Sequence, residues 1–141
     1  MGKTFIRGKQ VITVDSKDTI LNDGLVVVEG DKILEVGAYA DLKPKYQDVP
    51  GEWVEFPNGV ILPGLVCSHT HMDQSLMRGI GCHLPMEQWV TNVVYRMHSK
   101  MGRQENYDAA RLNMLEMIST GTTCFADSHF VNHFKDGVDG V

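Results

Sequence analysis

The chain has no surplus of positive charge. It carries 13 Lys and Arg against 18 Asp and Glu, a net charge of −5 over 141 residues. A nucleic-acid partner calls for a basic stripe or patch, and none is present. Cysteine is scarce: Cys67, Cys82 and Cys124 are far apart, odd in number and form no C-x-x-C pair. This argues against a disulfide framework and a Cys-based zinc site, and for semi-buried thiols in a reducing compartment. No stretch reaches membrane-spanning length, and the N-terminus lacks the apolar centre of a signal peptide. Ile6 stands where a myristoylation signal needs Ser or Thr. The expected location is the cytoplasm. There is no long run of like charge, no internal repeat and no low-complexity tract.

What is present is a change of texture near Gly59. Before it the chain reads as β structure. Phe5, Val11, Ile12 and Val14 mark short apolar runs, with Gly8-Lys9 able to break the first from the second. Gly24–Glu29 and Lys32–Gly37 flank Gly30-Asp31, a hairpin signal. A helical turn near Asp41-Leu42, then a loop with Pro44 and Pro50, precedes the alternating Trp53–Phe56. After Gly59, Val60–Cys67 is a continuous apolar run of the kind found in strands buried on both faces. Met86, Trp89, Val90, Val93, Val94, Met97 and Met101 then recur at three- and four-residue steps, giving one helical stripe. Tyr107, Ala110, Met114, Met117 and Ile118 repeat the pattern, and Gly121 sits where a helix C-terminal cap falls. Thr122–Ala126 reads as a strand. Strand, helix, helix, strand suits an α/β layered or barrel architecture.

His69-Thr70-His71 follows directly on the apolar run. On a strand, residues i and i+2 share a face and lie about 6.6 Å apart along the chain. Two imidazoles at that spacing can converge on one ion at about 2.0–2.1 Å each. The competing reading makes both strand-end surface or capping histidines. Pro63-Gly64, the unbroken run and the small Thr70 favour the metal strand.

The string PGLVCSHTHMDQSLMRG, residues 63–79, resembles the first barrel strand and loop of the amidohydrolase superfamily. The resemblance is to the branch that holds methylthioadenosine/S-adenosylhomocysteine deaminases, guanine and 8-oxoguanine deaminases and triazine hydrolases. It extends to the amino-terminal hairpin, to Met86–Trp89 and to Ser119–Thr123. It implies an α/β fold: an N-terminal β-sandwich-like domain over residues 1–59, then the first βα units of an incomplete (β/α)8 TIM barrel over 60–141. It also implies one divalent ion, zinc or alternatively iron, with His69 and His71 as ligands. In that family a water on the ion deprotonates near neutral pH, and the hydroxide attacks an sp² carbon bearing an amino or halide group. The further ligands and the acid/base have no match here, so no catalytic residue is expected within these residues.

A whole barrel takes about 250 residues, so the chain reads as a fragment that is inactive alone. Its partners are expected to be a small heterocyclic substrate, the missing C-terminal barrel portion and, for the full-length protein, further copies of itself. Pocket candidates are Gln74 at the loop mouth, where similar branches carry Gln, Trp89 as an aromatic wall or core residue, His98 near the end of the same helix, and His129 after the second strand. Asp127 is expected to orient the loop backbone or a neighbouring histidine, and Arg78 to pair with a nearby carboxylate or carbonyl. His129 and His133 with the first pair would make a four-His site, a weaker reading. His98 stands where the methylthioadenosine-type enzymes are expected to hold ribose with Glu. Its imidazole cannot accept a diol pair as a carboxylate does, which favours an aminopurine, aminotriazine or similar small heterocycle. The rival classes are a non-catalytic amidohydrolase-like scaffold and a self-sufficient β domain with an α appendage.

Overall fold

The structure is a computed structural model that describes residues 2–129. It comprises two compact units, divided between Pro63 and Gly64, four residues past the expected boundary at 59.

The first unit is one four-stranded sheet in the order β3-β2-β1-β4, and one short helix. β1 is Lys3–Ile12, β2 Ile20–Glu29, β3 Lys32–Ala38, α1 Tyr39–Tyr46 and β4 Gly51–Ile61. β2 and β3 form the expected hairpin, with Glu29 opposite Lys32 and Gly30 at φ 62°. That left-handed conformation is the one a side chain resists. β1 is not broken at Gly8-Lys9. It runs through, and the irregularity takes the form of a register shift against β4 between Gly8 and Gln10. Gly8 and Gln10 are two residues apart and their partners Phe56 and Val60 four, so β4 absorbs two extra residues as a bulge while the rest of the ladder stays paired. A sandwich-like arrangement was expected, but this unit has a single sheet among the described residues. Its apolar face is covered by α1: Phe5, Leu25 and Val27 pack with Leu42 and Tyr46, all buried. Phe5 also stacks on Trp53 with centroids 4.5 Å apart.

The second unit holds a parallel pair of strands and the helices between them. β5 is Leu65–Thr70 and β6 is Thr122–Asp127. Val60–Cys67 is therefore not one strand. β4 ends at Ile61, and Pro63-Gly64 separates it from β5, since proline donates no ladder hydrogen bond. Nor is the run buried: Leu65 is 50% and Val66 70% exposed.

After β5 come a 3-10 turn, Met72–Met77, and a helix in three parts. These are α2 (Met86–Trp89), a π turn (Val90–Val94) and α3 (Tyr95–His98). The long α4, Arg103–Ser119, leads into β6, and Gly121 follows it at φ 87° as a left-handed terminator. The predicted stripe on the first helix is only partly buried. Val93, Val94 and Met101 are buried, whereas Met86 is 81% exposed. A π turn holds one residue more than an α turn, so the 3.6-residue period breaks at Val90–Val94. Met77, Val94, Met101 and Ala109 form the core here and tie turn, helix and α4 together.

Candidate metal centre and adjoining cavity

β5 carries His69 and His71 to its C-terminal end, where strand pairing with β6 finishes at Thr70 opposite Asp127. His69 is exposed and His71 half-buried. Their Nε2 atoms are 3.2 Å apart, with the rings at 87° to each other. Tetrahedral coordination at about 2.0–2.1 Å per bond requires a nitrogen separation of roughly 3.3 Å. The pair fits that requirement. His71 Nδ1 lies 2.5 Å from the Ser128 carbonyl oxygen. A carbonyl can only accept, so Nδ1 carries the proton and Nε2 presents its lone pair. Ser128 is itself held, its N–H donating to Thr70 O at 2.8 Å.

The turn after His71 is anchored residue by residue. The Met72 N–H donates to Asp127 Oδ1 at 3.0 Å. Asp73 Oδ2 is 2.8 Å from His98 Nε2, and both side chains are fully buried. The Gln74 N–H donates to His71 O at 3.1 Å. Asp73 escaped sequence reasoning. Its only signal was a carboxylate two residues beyond the second histidine.

A cavity of ≈ 740 Å³ opens beside the turn. His71, Gln74 and Trp89 line it, together with Met77, Ile80, Leu84 and Met86, and with Asn113 and Glu116 from α4. Trp89 also packs on the Met77–Val94 core and donates from Nε1 to Ile80 O at 2.9 Å. It is wall and core residue at once. Arg78 finds its carboxylate in Glu116 at 2.5 Å. Asn113 and Glu116 were not anticipated, although their spacing of three puts both on one face of α4.

The structure does not bring all four pocket candidates together. Gln74 and Trp89 line the cavity, and His98 and His129 do not. His98 points into the protein against Asp73. His129 lies past the end of β6 with Nδ1 3.4 Å from Asp127 Oδ2. Asp127 thus touches both the turn backbone and a histidine. His133 lies outside the described residues. Among the described residues no cluster of three or more His, Cys, Asp or Glu side chains forms a complete metal site, and no helix is long and apolar enough to cross a membrane.

Comparison with known proteins finds relatives of one kind. A 5-methylthioadenosine/S-adenosylhomocysteine deaminase of Thermodesulfovibrio yellowstonii is 35% identical over 132 residues, 92% of this chain and 30% of the relative. An adenosine deaminase from Xanthomonas campestris, solved with bound zinc, superposes with a TM-score of 0.83 at 28% identity. That match covers 90% of this chain and 29% of the other. The zinc complex of an atrazine chlorohydrolase from Arthrobacter aurescens gives a TM-score of 0.74 at 29% identity, over 89% of this chain and 28% of that one. The chain thus spans about 30% of the length of the curated relatives it matches. The model of the amidohydrolase family matches residues 60–140, the whole of the β5-to-β6 region with its histidine pair, and the chain belongs to that family.

Proposed function

We propose that this chain supplies the first two metal ligands and part of the substrate cavity of a metal-dependent hydrolase. The enzyme removes an amino or chloro group from an aminopurine, aminotriazine or similar heterocycle. The observation that carries the reading is the 3.2 Å approach of the two Nε2 atoms, with His71 locked in the required tautomer. A divalent ion held there, zinc or alternatively iron, would acidify a bound water and polarise the carbon under attack. The residues of this chain bind and orient. His69 and His71 hold the ion, and the Gln74 carboxamide is placed to donate to and accept from a heterocycle edge. Trp89 and Met77 give a planar ring an apolar wall and exclude water.

The deaminase and chlorohydrolase relatives support the reaction class, and the zinc in two of the matched structures supports the metal. The architecture we infer for the longer protein is a (β/α)8 barrel, with β5, the helices and β6 as its opening units. The compartment we infer is the cytoplasm, in keeping with three cysteines that are free of disulfides. A catalytic site needs about three protein ligands and an acid/base, so we further infer that the 141 residues alone do not turn over substrate.

The test is metal content and deamination of aminopurines and aminotriazines by the full-length protein. About one tightly held ion per chain is expected, with loss of ion and activity in His69→Ala and His71→Ala. A full-length protein that turns over a heterocycle after both substitutions sinks the ligand assignment. One that holds no ion and turns over nothing favours a binding scaffold.

A further inference from the structure

We propose that His98 is a positioning residue: through its contact with Asp73 it fixes the turn that follows His71, and so sets the aim of that ligand. The proposal rests on reading His69 and His71 as metal ligands.

Four observations lead to it. First, His98 and Asp73 are both at 0% exposure, with Nε2 and Oδ2 2.8 Å apart. Removing an imidazole and a carboxylate from water is expensive, and apolar residues of similar volume pack there at least as stably. Stability alone therefore does not account for the pair. A polar pair in such a place specifies an arrangement instead.

Second, the arrangement it specifies is local to the ligand. His71, Met72 and Asp73 are three consecutive residues, and each has its own anchor. These anchors are the Ser128 carbonyl, the Asp127 carboxylate and the His98 ring. The first two come from the end of β6. His98 is the anchor from a different element, the helix that also carries Trp89.

Third, the helix is built to present both residues. Trp89 and His98 are nine residues apart, which on a regular α-helix puts them about 180° apart. The π turn at Val90–Val94 takes up one extra residue, and the separation falls to about 80°. One helix thereby turns Trp89 to the cavity and His98 to Asp73.

Fourth, His98 does not line the cavity and has no exposed surface, so it acts through Asp73 and not on substrate.

The experiment uses full-length protein. Affinity for Zn²⁺ and Co²⁺ is measured by chelator competition, and the visible absorption of the Co²⁺ form reports ligand geometry. His98→Ala is expected to weaken metal binding by about 10–100-fold, as for other residues behind a ligand, and to alter the Co²⁺ spectrum. His98→Gln, which keeps an N–H donor near the position of Nε2, restores most of the affinity. Should His98→Ala fail to fold, the paired variant Asp73→Leu with His98→Leu decides. It is expected to melt no lower than wild type yet to bind metal about tenfold or more weakly. A folded paired variant with wild-type affinity and spectrum overturns the proposal and leaves the ligand assignment standing. Wild-type protein that binds no metal overturns both.

Discussion

Asp127 shows how one side chain can serve two neighbours. Its Oδ1 accepts the N–H of Met72, a residue with no exposed surface. Its Oδ2 faces His129 at 3.4 Å. Water cannot replace the first bond, so Asp127→Ala leaves a buried donor without an acceptor. The expected loss is about 1–3 kcal/mol. Asp127→Asn keeps an oxygen at that position and should lose less. Urea unfolding of the full-length protein measures both, and equal midpoints for Asp127→Ala and wild type would refute the account. His69, His71 and Gln74 were legible in the sequence because a strand end and a fixed spacing place them. Asp73 with His98 was not. Their meeting depends on a π turn, and nothing in the identities of Val90–Val94 announces an extra residue per turn.

Among the elements, the hairpin of β2 and β3 is tied to α1 by a small charged cluster. Lys45 Nζ and the Tyr46 hydroxyl both donate to Glu35 Oε2 at 2.6 Å. The bond from Lys45, then that from Tyr46, holds the Glu35 carboxyl below its ordinary pKa. A depressed folded pKa means that the stabilisation is complete above the ordinary carboxylate range. It disappears as pH falls below about 4. Asp23 beside Arg7 and Glu29 beside Lys3 are shifted the same way. Amide protection factors in β2 and β3, taken relative to intrinsic exchange at each pH, should therefore fall on acidification, and less so in Glu35→Gln, which starts from a weaker tie. An unchanged acid response in Glu35→Gln would remove this cluster as the cause. The Lys45–Glu35 ion pair is open to solvent, and salt should shrink its share of the effect. The hairpin and α4 were readable in advance because Gly30 and Gly121 mark left-handed turns with a definite chemistry. The split between β4 and β5 was misread because apolar content outweighed Pro63-Gly64 in the pattern. Gly8-Lys9 was misread as a break in β1 because a glycine can end a strand or face a bulge, and here the bulge is in the neighbouring β4.

For the whole molecule, the deciding feature is apolar surface on the second unit. Val66 is 70%, Leu115 63% and Ile118 72% exposed. Soluble monomers seldom leave several large side chains so open on one unit unless something covers them. The matched relatives are about three times as long, and further barrel units are the cover we propose. The 141 residues expressed alone should then self-associate and bind a hydrophobic dye. They should also turn over no aminopurine or aminotriazine. Supplying the remainder of the protein in the same cell should reduce dye binding and restore activity. The rival reading, a self-sufficient β domain with an α appendage, predicts a monomer of 15.7 kDa that unfolds cooperatively. Light scattering separates the two directly. A clean monomer without dye binding would mean that these side chains tolerate water. The histidine pair would then need its remaining ligands from a partner that does not cover Val66, Leu115 and Ile118.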